Sequence, residues 1–256
     1  MSNSGIRFDV ADGVAVITLS RPEVRNAIDW TTAKALSAAL DELDDRDDVR
    51  VGVLTGSGEF FCAGMDLKAF NATGERPIDE RRGPFGIVAR PPEKPLIAAV
   101  EGPALGGGFE VALACDLIIA GQTATFGLPE VRRGLVAAAG GVLRLPRRIP
   151  QALAKEMILT GAPIDALQAQ RYGLVNRVVP DRTAAAEAVA LAQIIADNAP
   201  LAVRTSKLLA DASADWPTTE AFDRQTPYAD AVRASNDAKE GAAAFVEKRK
   251  PRWTGS

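Results

Sequence analysis

Histidine is absent from all 256 residues of the sequence. Its absence excludes the Ser-His-Asp triad, the Cys-His pair and every metal site that relies on imidazole ligands. In an enzyme of this composition, proton transfer falls to Asp, Glu, Lys, Tyr or Cys. A carboxylate is therefore the leading candidate for a general acid or base.

Cysteine is scarce and long apolar runs are missing. Cys62 and Cys115 are the two cysteines, and no Cys-x-x-Cys pair occurs, so a disulfide framework and a zinc ribbon are both excluded. We interpret them as buried free thiols and expect no metal site. The apolar runs fall far short of the ~20 residues of a membrane span. The first residues lack the basic-then-apolar pattern of a signal peptide. We therefore expect a cytoplasmic protein with no membrane partner.

Positive charge is not in excess. The formal net charge is −3 and the isoelectric point is about 5.3, which argues against general nucleic-acid binding. Basic residues cluster in "RLPRR" (Arg144, Arg147, Arg148) and in "EKRKPR" near the end. A solvated surface is our interpretation of both clusters, and a landing site for an anion such as phosphate stays open as the alternative.

The regular patterns predict strands that alternate with helices. Asp12-Gly13 marks a hairpin turn, and Asp29 is a predicted N-cap of a helix whose apolar positions are Ala33, Leu36, Leu40 and Leu43. Further strands are predicted in "VRVGVLTG", "PLIAAVEG" and "CDLIIAG". The polar stretch 71–83 is predicted to be a surface excursion. This alternation predicts an α/β fold with parallel strand pairing.

The pattern changes near Ala184, after which alanine-rich helical segments follow one another with no convincing strand. We predict an α/β core over residues 1–195 and a helical region over residues 196–256.

Three consecutive glycines occur in "ALGGGFE", residues 104–110, between a predicted strand and a predicted helix. They match neither the dinucleotide-binding nor the phosphate-loop pattern. One hypothesis is that bare backbone N–H groups at the helix start meet an anion or a charge that develops in a transition state. The other is a tight turn with close helix–strand packing. Glu110 lies in the first helical turn, where its negative charge would either simply stabilise the helix dipole or serve as a catalytic carboxylate.

Two further stretches could contribute to such a site. "LTGSGEFFCAGMDL" places a second glycine loop after a strand, and "ATFGLPEVRRG" places Glu130 after Pro129 in a predicted loop. Spacing alone does not show whether Glu110 and Glu130 meet.

Taken together, these stretches resemble the crotonase family, the enoyl-CoA hydratase/isomerase superfamily. The resemblance covers nearly the whole chain, through "LSRPEVRNAID", "VLTGSGEFFCAGMDL", "PLIAAVEGPALGGGFEVALACDLIIAG", "TFGLPEVRRGL", "AGGVLRLPRR", "LTGAPIDALQAQRYGLVNRVV" and "DAKEGAAAFVEKRKPRW". It implies a spiral of repeated ββα units with a C-terminal helical region that forms trimers or dimers of trimers. It also implies coenzyme A thioester substrates and no metal or redox cofactor.

By this resemblance the backbone N–H groups of Met65 and Gly107 form an oxyanion hole for the thioester oxygen. Glu110 helps to hold and deprotonate a water, and Glu130 supplies the α-proton. The implied activity is that of an enoyl-CoA hydratase. The resemblance also implies CoA contacts at Arg25, Ala63, Met65, Asp66, Leu67, Lys68, Phe245 and Lys248, the last two in some relatives from a neighbouring subunit.

One stretch departs from the hydratases. Val136 to Leu145 reads "VAAAGGVLRL", without the Pro, Thr and Gln of the hydratase pattern, so the length and polarity of the acyl group stay open. The residues here and at "EKRKPRW" lean toward the carnitinyl-CoA dehydratase branch. We rank that branch second, because aromatic residues that could hold a quaternary ammonium make up only 5% of the chain.

The resemblance is also compatible with a Δ3-Δ2 enoyl-CoA isomerase, an RNA-binding relative or a non-catalytic acyl-CoA-binding protein. The acidic stretch "DELDDRDD" disfavours RNA binding, since it would repel phosphate. The presence of both glutamates disfavours a protein without turnover.

Overall fold

The computed structural model describes residues 5–256. Its strands, in chain order, are β1 (Ile6–Ala11), β2 (Val14–Leu19), β3 (Val51–Gly56), β4 (Ile78–Asp79), β5 (Gly83–Pro84), β6 (Leu96–Val100), β7 (Pro103–Leu105), β8 (Leu117–Gly121), β9 (Thr125–Gly127), β10 (Ile164–Asp165) and β11 (Arg177–Val179). Its helices are α1 (Trp30–Asp45), α2 (Leu67–Thr73), α3 (Gly107–Ala114), α4 (Gly141–Arg148), α5 (Gln151–Thr160), α6 (Ala166–Arg171), α7 (Ala184–Ala196), α8 (Pro200–Ser213), α9 (Ala221–Ala234) and α10 (Asn236–Glu247).

The main sheet has six strands in the order β1-β2-β3-β6-β8-β11. β1 and β2 form the predicted antiparallel hairpin, and both turn residues, Asp12 (φ 50°) and Gly13 (φ 78°), have the positive φ of a type I′ turn. Every other neighbouring pair in this sheet is parallel, as predicted.

The chain repeatedly leaves the main sheet for a smaller one. β6 and β8 belong to the main sheet, while β7 and β9, which follow them, pair in a three-stranded sheet of order β10-β9-β7. α3 then returns the chain from β7 to β8, and α6 returns it from β10 to β11. These ββα units confirm the predicted α/β class and crotonase-like architecture.

Helices cover both faces of the main sheet. On one side α1 is capped by Asp29, whose carboxylate accepts a hydrogen bond of 2.8 Å from the Thr32 N–H, and its predicted apolar face is fully buried. On the other side α7 buries an alanine at every fourth position, Ala184, Ala188, Ala192 and Ala196, against strand residues of β3, β6 and β8. Small side chains let this helix approach the sheet closely.

The stretch 71–83 is less exposed than predicted. Arg82 is 1% exposed, and its guanidinium donates hydrogen bonds of 2.9 Å to Asp41 and Asp44 on α1. Asp79 is also buried and accepts from Ser37 at 2.7 Å. The prediction of a surface excursion was therefore wrong for these two residues, because each charge has a partner on α1 that composition does not reveal.

Beyond α7 the described chain is helical, and the predicted division after residue 195 falls in the last turn of α7. The division into two regions stays a prediction. In the described range, no single helix is long and apolar enough to cross a membrane, although the bent pair α7 and α8 passes that test when taken together.

Candidate active site

The three glycines of "ALGGGFE" open α3, and each is required for a different reason. Gly106 is the N-cap and has φ 54° with ψ −126°, a conformation that L side chains rarely adopt. A β-carbon on Gly107 would overlap the ring of Phe85. A β-carbon on Gly108 would overlap the carbonyl oxygen of Cys62. Close packing is thus observed at Gly107 and Gly108, although the neighbours, Phe85 and Cys62, lie outside the strands rather than in the expected helix–strand contact.

The second glycine loop packs against the start of α3. Gly64 has φ 89°, and a β-carbon there would lie 3.0 Å from the Gly107 nitrogen. Hydrogen bonds from Ile28 N to Gly64 O (2.8 Å) and from Asp66 N to Ile28 O (3.0 Å) fix this loop on either side of Met65. The N–H groups of Met65 and Gly107 donate to no acceptor within the described chain. This arrangement suits the predicted oxyanion hole, which stays a prediction.

Asn26 supports the strand-to-loop connection that leads to this second loop. Its buried side chain donates to the carbonyls of Ser57 (2.9 Å) and Phe60 (2.7 Å) and accepts from the Arg21 N–H (3.0 Å). Its backbone is left-handed, with φ 54°. One side chain thus satisfies three backbone groups that have no regular secondary structure of their own.

We expect Asn26→Ala to lower the free energy of unfolding by about 2–4 kcal/mol, since buried carbonyls lose their donor and alanine disfavours a positive φ. Urea unfolding monitored by circular dichroism measures the change. Asn198→Ala, which removes an amide from an exposed site, is the matched control and should cost less than about 1 kcal/mol. Equal effects of the two substitutions would contradict this role for Asn26.

Glu110 lies in the first turn of α3, as predicted, and is only 3% exposed. Its Oε1 accepts a hydrogen bond of 2.9 Å from the Gly141 N–H at the start of α4. Burial raises the pKa of Glu110 to about 7, the Gly141 hydrogen bond opposes this rise, and the charge of Glu130 adds to it. A carboxyl group poised near neutral pH can both accept and release a proton.

Glu130 lies in a 3₁₀ turn, Pro129–Arg133, rather than in the predicted loop. The Pro at its start and Gly134 (φ 69°) at its end favour such a short turn. A β-carbon on Gly106 would lie 3.1 Å from Glu130 Oε1, so this carboxylate faces the glycines that open α3. Its Oε2 is buried without a hydrogen-bond partner in the described chain, and burial raises the pKa of Glu130. The structure therefore brings the two glutamates to one site.

The predicted CoA-binding residues fall into three groups. Ala63, Leu67 and Lys68 are exposed beside Met65. Asp66 is buried: its carboxylate caps α2 through the Lys68 and Ala69 N–H groups and pairs with Arg21 at 3.0 Å. Its side chain is thus already engaged in the fold.

Arg25 is exposed and stacks over the Phe60 ring at 5.1 Å. Phe245, which is 85% exposed, and Lys248 lie at the end of α10. Within residues 5–256, no hydrogen bond or ion pair joins these two side chains to the glycine loops. CoA binding stays a prediction for all eight positions.

The "RLPRR" cluster differs from the predicted solvated surface. Arg144 is half-buried and donates to the Val88 carbonyl at 2.7 Å, and Arg148 is half-buried and donates to carbonyls at the end of α3. Only Arg147 is exposed. These cations are therefore structural partners of the core, and the side chains of Arg144 and Arg148 are already occupied by main-chain oxygens.

Sequence reasoning missed Phe85, whose ring lies against Gly107. Its backbone is left-handed, with φ 57°, which is uncommon for an aromatic residue and requires support from the surrounding structure. The Phe85 N–H donates to the Pro77 carbonyl at 2.7 Å. The Gly140-Gly141 pair was the available signal for the missed anchor of Glu110, because paired glycines mark close backbone approach.

The ββα fold, with glycine loops from two strands converging on buried carboxylates, defines the class as the crotonase superfamily. A profile of the enoyl-CoA hydratase/isomerase family matches residues 9–256. The chain belongs to the enoyl-CoA hydratase/isomerase family, and it is an enzyme of the hydro-lyase type. In the described residues, no group of three or more Cys, Asp or Glu side chains is arranged to hold a metal ion.

Several relatives match the chain over more than nine tenths of its length. The structure of an enoyl-CoA hydratase from Mycobacterium tuberculosis superposes with a TM-score of 0.97 at 49% identity, over 99% of this chain and 100% of that one. A carnitinyl-CoA hydratase from Mycobacterium avium gives 0.80 at 44% identity, over 100% of both chains. A carnitinyl-CoA dehydratase of Salmonella typhi is 44% identical over 248 residues, 93% of this chain and 94% of the relative.

Proposed function

We propose that the enzyme adds water reversibly across the 2,3 double bond of a 2-enoyl-CoA thioester whose acyl group is uncharged. The observation that carries this proposal is the pairing of buried Glu110 with Glu130, whose Oε2 is buried, beside two unpaired N–H groups, those of Met65 and Gly107. Hydration needs a base for water, an acid for the α-carbon and a stabiliser for the enolate oxygen between them.

In the proposed reaction, ionised Glu110 takes a proton from water while the water oxygen bonds to Cβ. The π electrons shift toward the thioester, whose oxygen gains negative charge and accepts hydrogen bonds from Met65 and Gly107. Protonated Glu130 then delivers its proton to Cα, which gives the 3-hydroxyacyl-CoA. The cycle closes when Glu110 loses the proton that it took from water and Glu130 gains one, by transfer between them or through solvent. Burial raises the pKa of Glu110 to about 7 and also raises the pKa of Glu130, which supports proton transfer to and from both carboxyl groups.

Apolar side chains near Glu110 support an uncharged acyl group. Leu128 and Ala137 lie within contact distance of a β-carbon placed on Gly141, the residue that anchors Glu110. Ala139 and Val88 are buried beside the same glycine pair, and Phe85 lies against Gly107. A quaternary ammonium placed among these groups would lose its hydration, and the two carboxylates it could meet, Glu110 and Glu130, are needed for proton transfer in the proposed reaction.

The binding partners follow from this proposal. Acyl-CoA is the substrate, and neither a metal nor a redox cofactor takes part in the proposed steps. The family resemblance implies a homotrimer or a dimer of trimers, and large exposed apolar side chains on α9 and α10, including Phe222 (77% exposed) and Phe245, are available for a contact between subunits. A contact made by α10 in the assembly could bring Phe245 and Lys248 to the CoA of a neighbouring subunit.

A comparison of three thioesters tests the proposal. Crotonyl-CoA, a 3-enoyl-CoA and crotonobetainyl-CoA are offered in turn, and the enoyl thioester absorbance and the products are followed. We expect hydration of crotonyl-CoA with a kcat/KM at least about tenfold above that for crotonobetainyl-CoA, since an unpaired buried cation costs more than about 1.4 kcal/mol. Preference for crotonobetainyl-CoA would favour the dehydratase named by the Salmonella relative. Failure to hydrate any 2-enoyl-CoA would refute the proposal.

A further inference from the structure

Arg144 lies on α4 between two features of the site. One is Gly141, whose N–H anchors Glu110, and the other is the turn of residues 84–88 that carries Phe85 (the Phe85 wall). Its guanidinium Nη2 donates a 2.7 Å hydrogen bond to the Val88 carbonyl. Nη1 occupies the space beside Gly140 in which a β-carbon would overlap it. The glycine at position 140 therefore makes room for this guanidinium as well as for the turn into α4.

The first connection runs to the catalytic glutamate. Gly140 is the N-cap of α4, and its carbonyl accepts a 2.8 Å hydrogen bond from the Arg144 N–H. The next residue, Gly141, donates its N–H to Glu110 Oε1 at 2.9 Å. The Arg144 side chain fills the space beside Gly140, so its removal would leave the backbone next to the Gly141 donor without this packing.

The second connection runs to the wall. Val88 closes a tight turn in which its N–H donates to the Pro84 carbonyl at 3.1 Å. Phe85, in the same turn, holds a left-handed backbone and places its ring against Gly107. The bond from Arg144 to Val88 O fixes the end of this turn, which packs on α1 through Gly86.

We infer that Arg144 is a positioning residue that holds the Gly141 anchor of Glu110 and the Phe85 wall at a fixed separation. The inference rests on the function proposed above. A purely structural arginine would support stability alone. Arg144 in addition carries a positive charge close enough to Glu110 to favour the ionised carboxylate.

The charges around this pair are few. Glu110 is faced by the negative charge of Glu130 from the 3₁₀ turn and by the positive charge of Arg144 from α4. The groups that act on Arg144 come from its own helix, from the first turn and the C-cap of α3, and from α8: Arg148, Glu110, Cys115 and Asp211. Loss of the Arg144 charge removes an attraction that favours the ionised carboxylate, so Glu110 should bind its proton more tightly.

Arg144→Met, Arg144→Lys and Arg148→Met test the inference through the pH dependence of crotonyl-CoA hydration. For Arg144→Met we expect kcat to fall about 10–100-fold with KM changed less than about threefold, the usual size of effects from residues that orient a reacting group. The acidic limb of kcat/KM should move to higher pH, because Glu110 must be ionised to act as the base. Arg144→Lys should keep that limb in its wild-type position but recover only part of kcat, since an ammonium lacks the planar fork.

Arg148→Met is the matched control, because it also removes a half-buried guanidinium from α4. The partners of that guanidinium are carbonyls at the end of α3. It should lower stability and leave the acidic limb in place. An unmoved limb in Arg144→Met, or the same shift in Arg148→Met, would overturn the inference. If Arg144→Met does not fold, a wild-type kcat in Arg144→Lys would overturn the inference instead.

The inference can fail separately from the proposed function. Wild-type protein that hydrates no 2-enoyl-CoA refutes the function itself. In that case the titration midpoint of the Glu110 carboxyl can still be measured in the wild type and in Arg144→Met. Infrared difference spectra against Glu110→Gln assign the carboxyl band. A higher titration midpoint in Arg144→Met supports the electrostatic coupling, and equal midpoints oppose it.

Discussion

Glu110→Gln is expected to lower kcat for hydration by about 10²–10⁴-fold while acyl-CoA binding persists. Glutamine keeps the shape of the side chain and can still accept the Gly141 hydrogen bond through its amide oxygen, but it cannot take a proton from water. Steady-state kinetics and a binding titration with a saturated acyl-CoA measure the two quantities. Glu156→Gln on α5, an exposed position, is the control and should leave both unchanged.

The same substitution should increase stability at alkaline pH. The folded-state pKa of Glu110 is about 7 against an ordinary value of 4.5, so the folded protein binds the proton more tightly than the unfolded chain. The free energy of unfolding of the wild type therefore falls as pH rises from about 4.5 to 7. In Glu110→Gln this pH-dependent loss of stability should be absent, because glutamine does not ionise.

The advantage of the glutamine variant over the wild type should grow by about 2–3 kcal/mol between pH 5 and pH 8. Urea unfolding at both pH values measures it. A loss of activity without this pH-dependent gain would show that Glu110 is not the buried carboxyl that titrates near 7. Retained activity would remove Glu110 from its assigned role.

Glu130→Gln is expected to reduce kcat by a similar factor, about 10²–10⁴-fold, because the α-carbon loses its proton donor. In the wild type the rate should fall as pH rises through the elevated pKa of Glu130, since only the protonated carboxyl can donate. This alkaline limb should disappear in the variant, whose residual rate comes from the oxyanion hole and positioning. Rate–pH profiles with crotonyl-CoA measure both effects.

The chain contains a closely matched control for this experiment. Glu23 lies in "PEVR" at Pro22–Arg25, the same four residues that surround Glu130. Both glutamates lie in 3₁₀ turns, but Glu23 is exposed. Glu23→Gln should leave kcat and the alkaline limb unchanged. Equal losses in the two variants would point to the turn rather than to the buried carboxyl.

These two "PEVR" stretches also show how far sequence reasoning reaches. Local chemistry determines the 3₁₀ turn in both places, through proline at its start and a left-handed residue at its end. It does not determine which glutamate is buried, since that depends on strands and glycines elsewhere in the chain. The assignment of Glu130 came from the family resemblance, and the structure then placed it opposite Gly106.

Patterns with a regular period were predicted well. The apolar face of α1, its cap at Asp29 and the hairpin at Asp12-Gly13 follow from local preferences, and the structure confirms all three. The stretch that contains Arg82 and Phe85 has no such period. Its conformation depends on ion pairs to α1 and on contact with Gly107, which are long-range interactions that no local pattern encodes.

The difference between Gly107 and Gly108 determines how the site can change in evolution. At position 107 the obstacle to a larger residue is a side chain, the ring of Phe85, so volume can be exchanged between positions 107 and 85 by paired substitution. At position 108 the obstacle is the main chain of Cys62, and no second substitution can remove a carbonyl oxygen. The first position can therefore drift together with a partner, while the second is held at glycine as long as the chain follows this path.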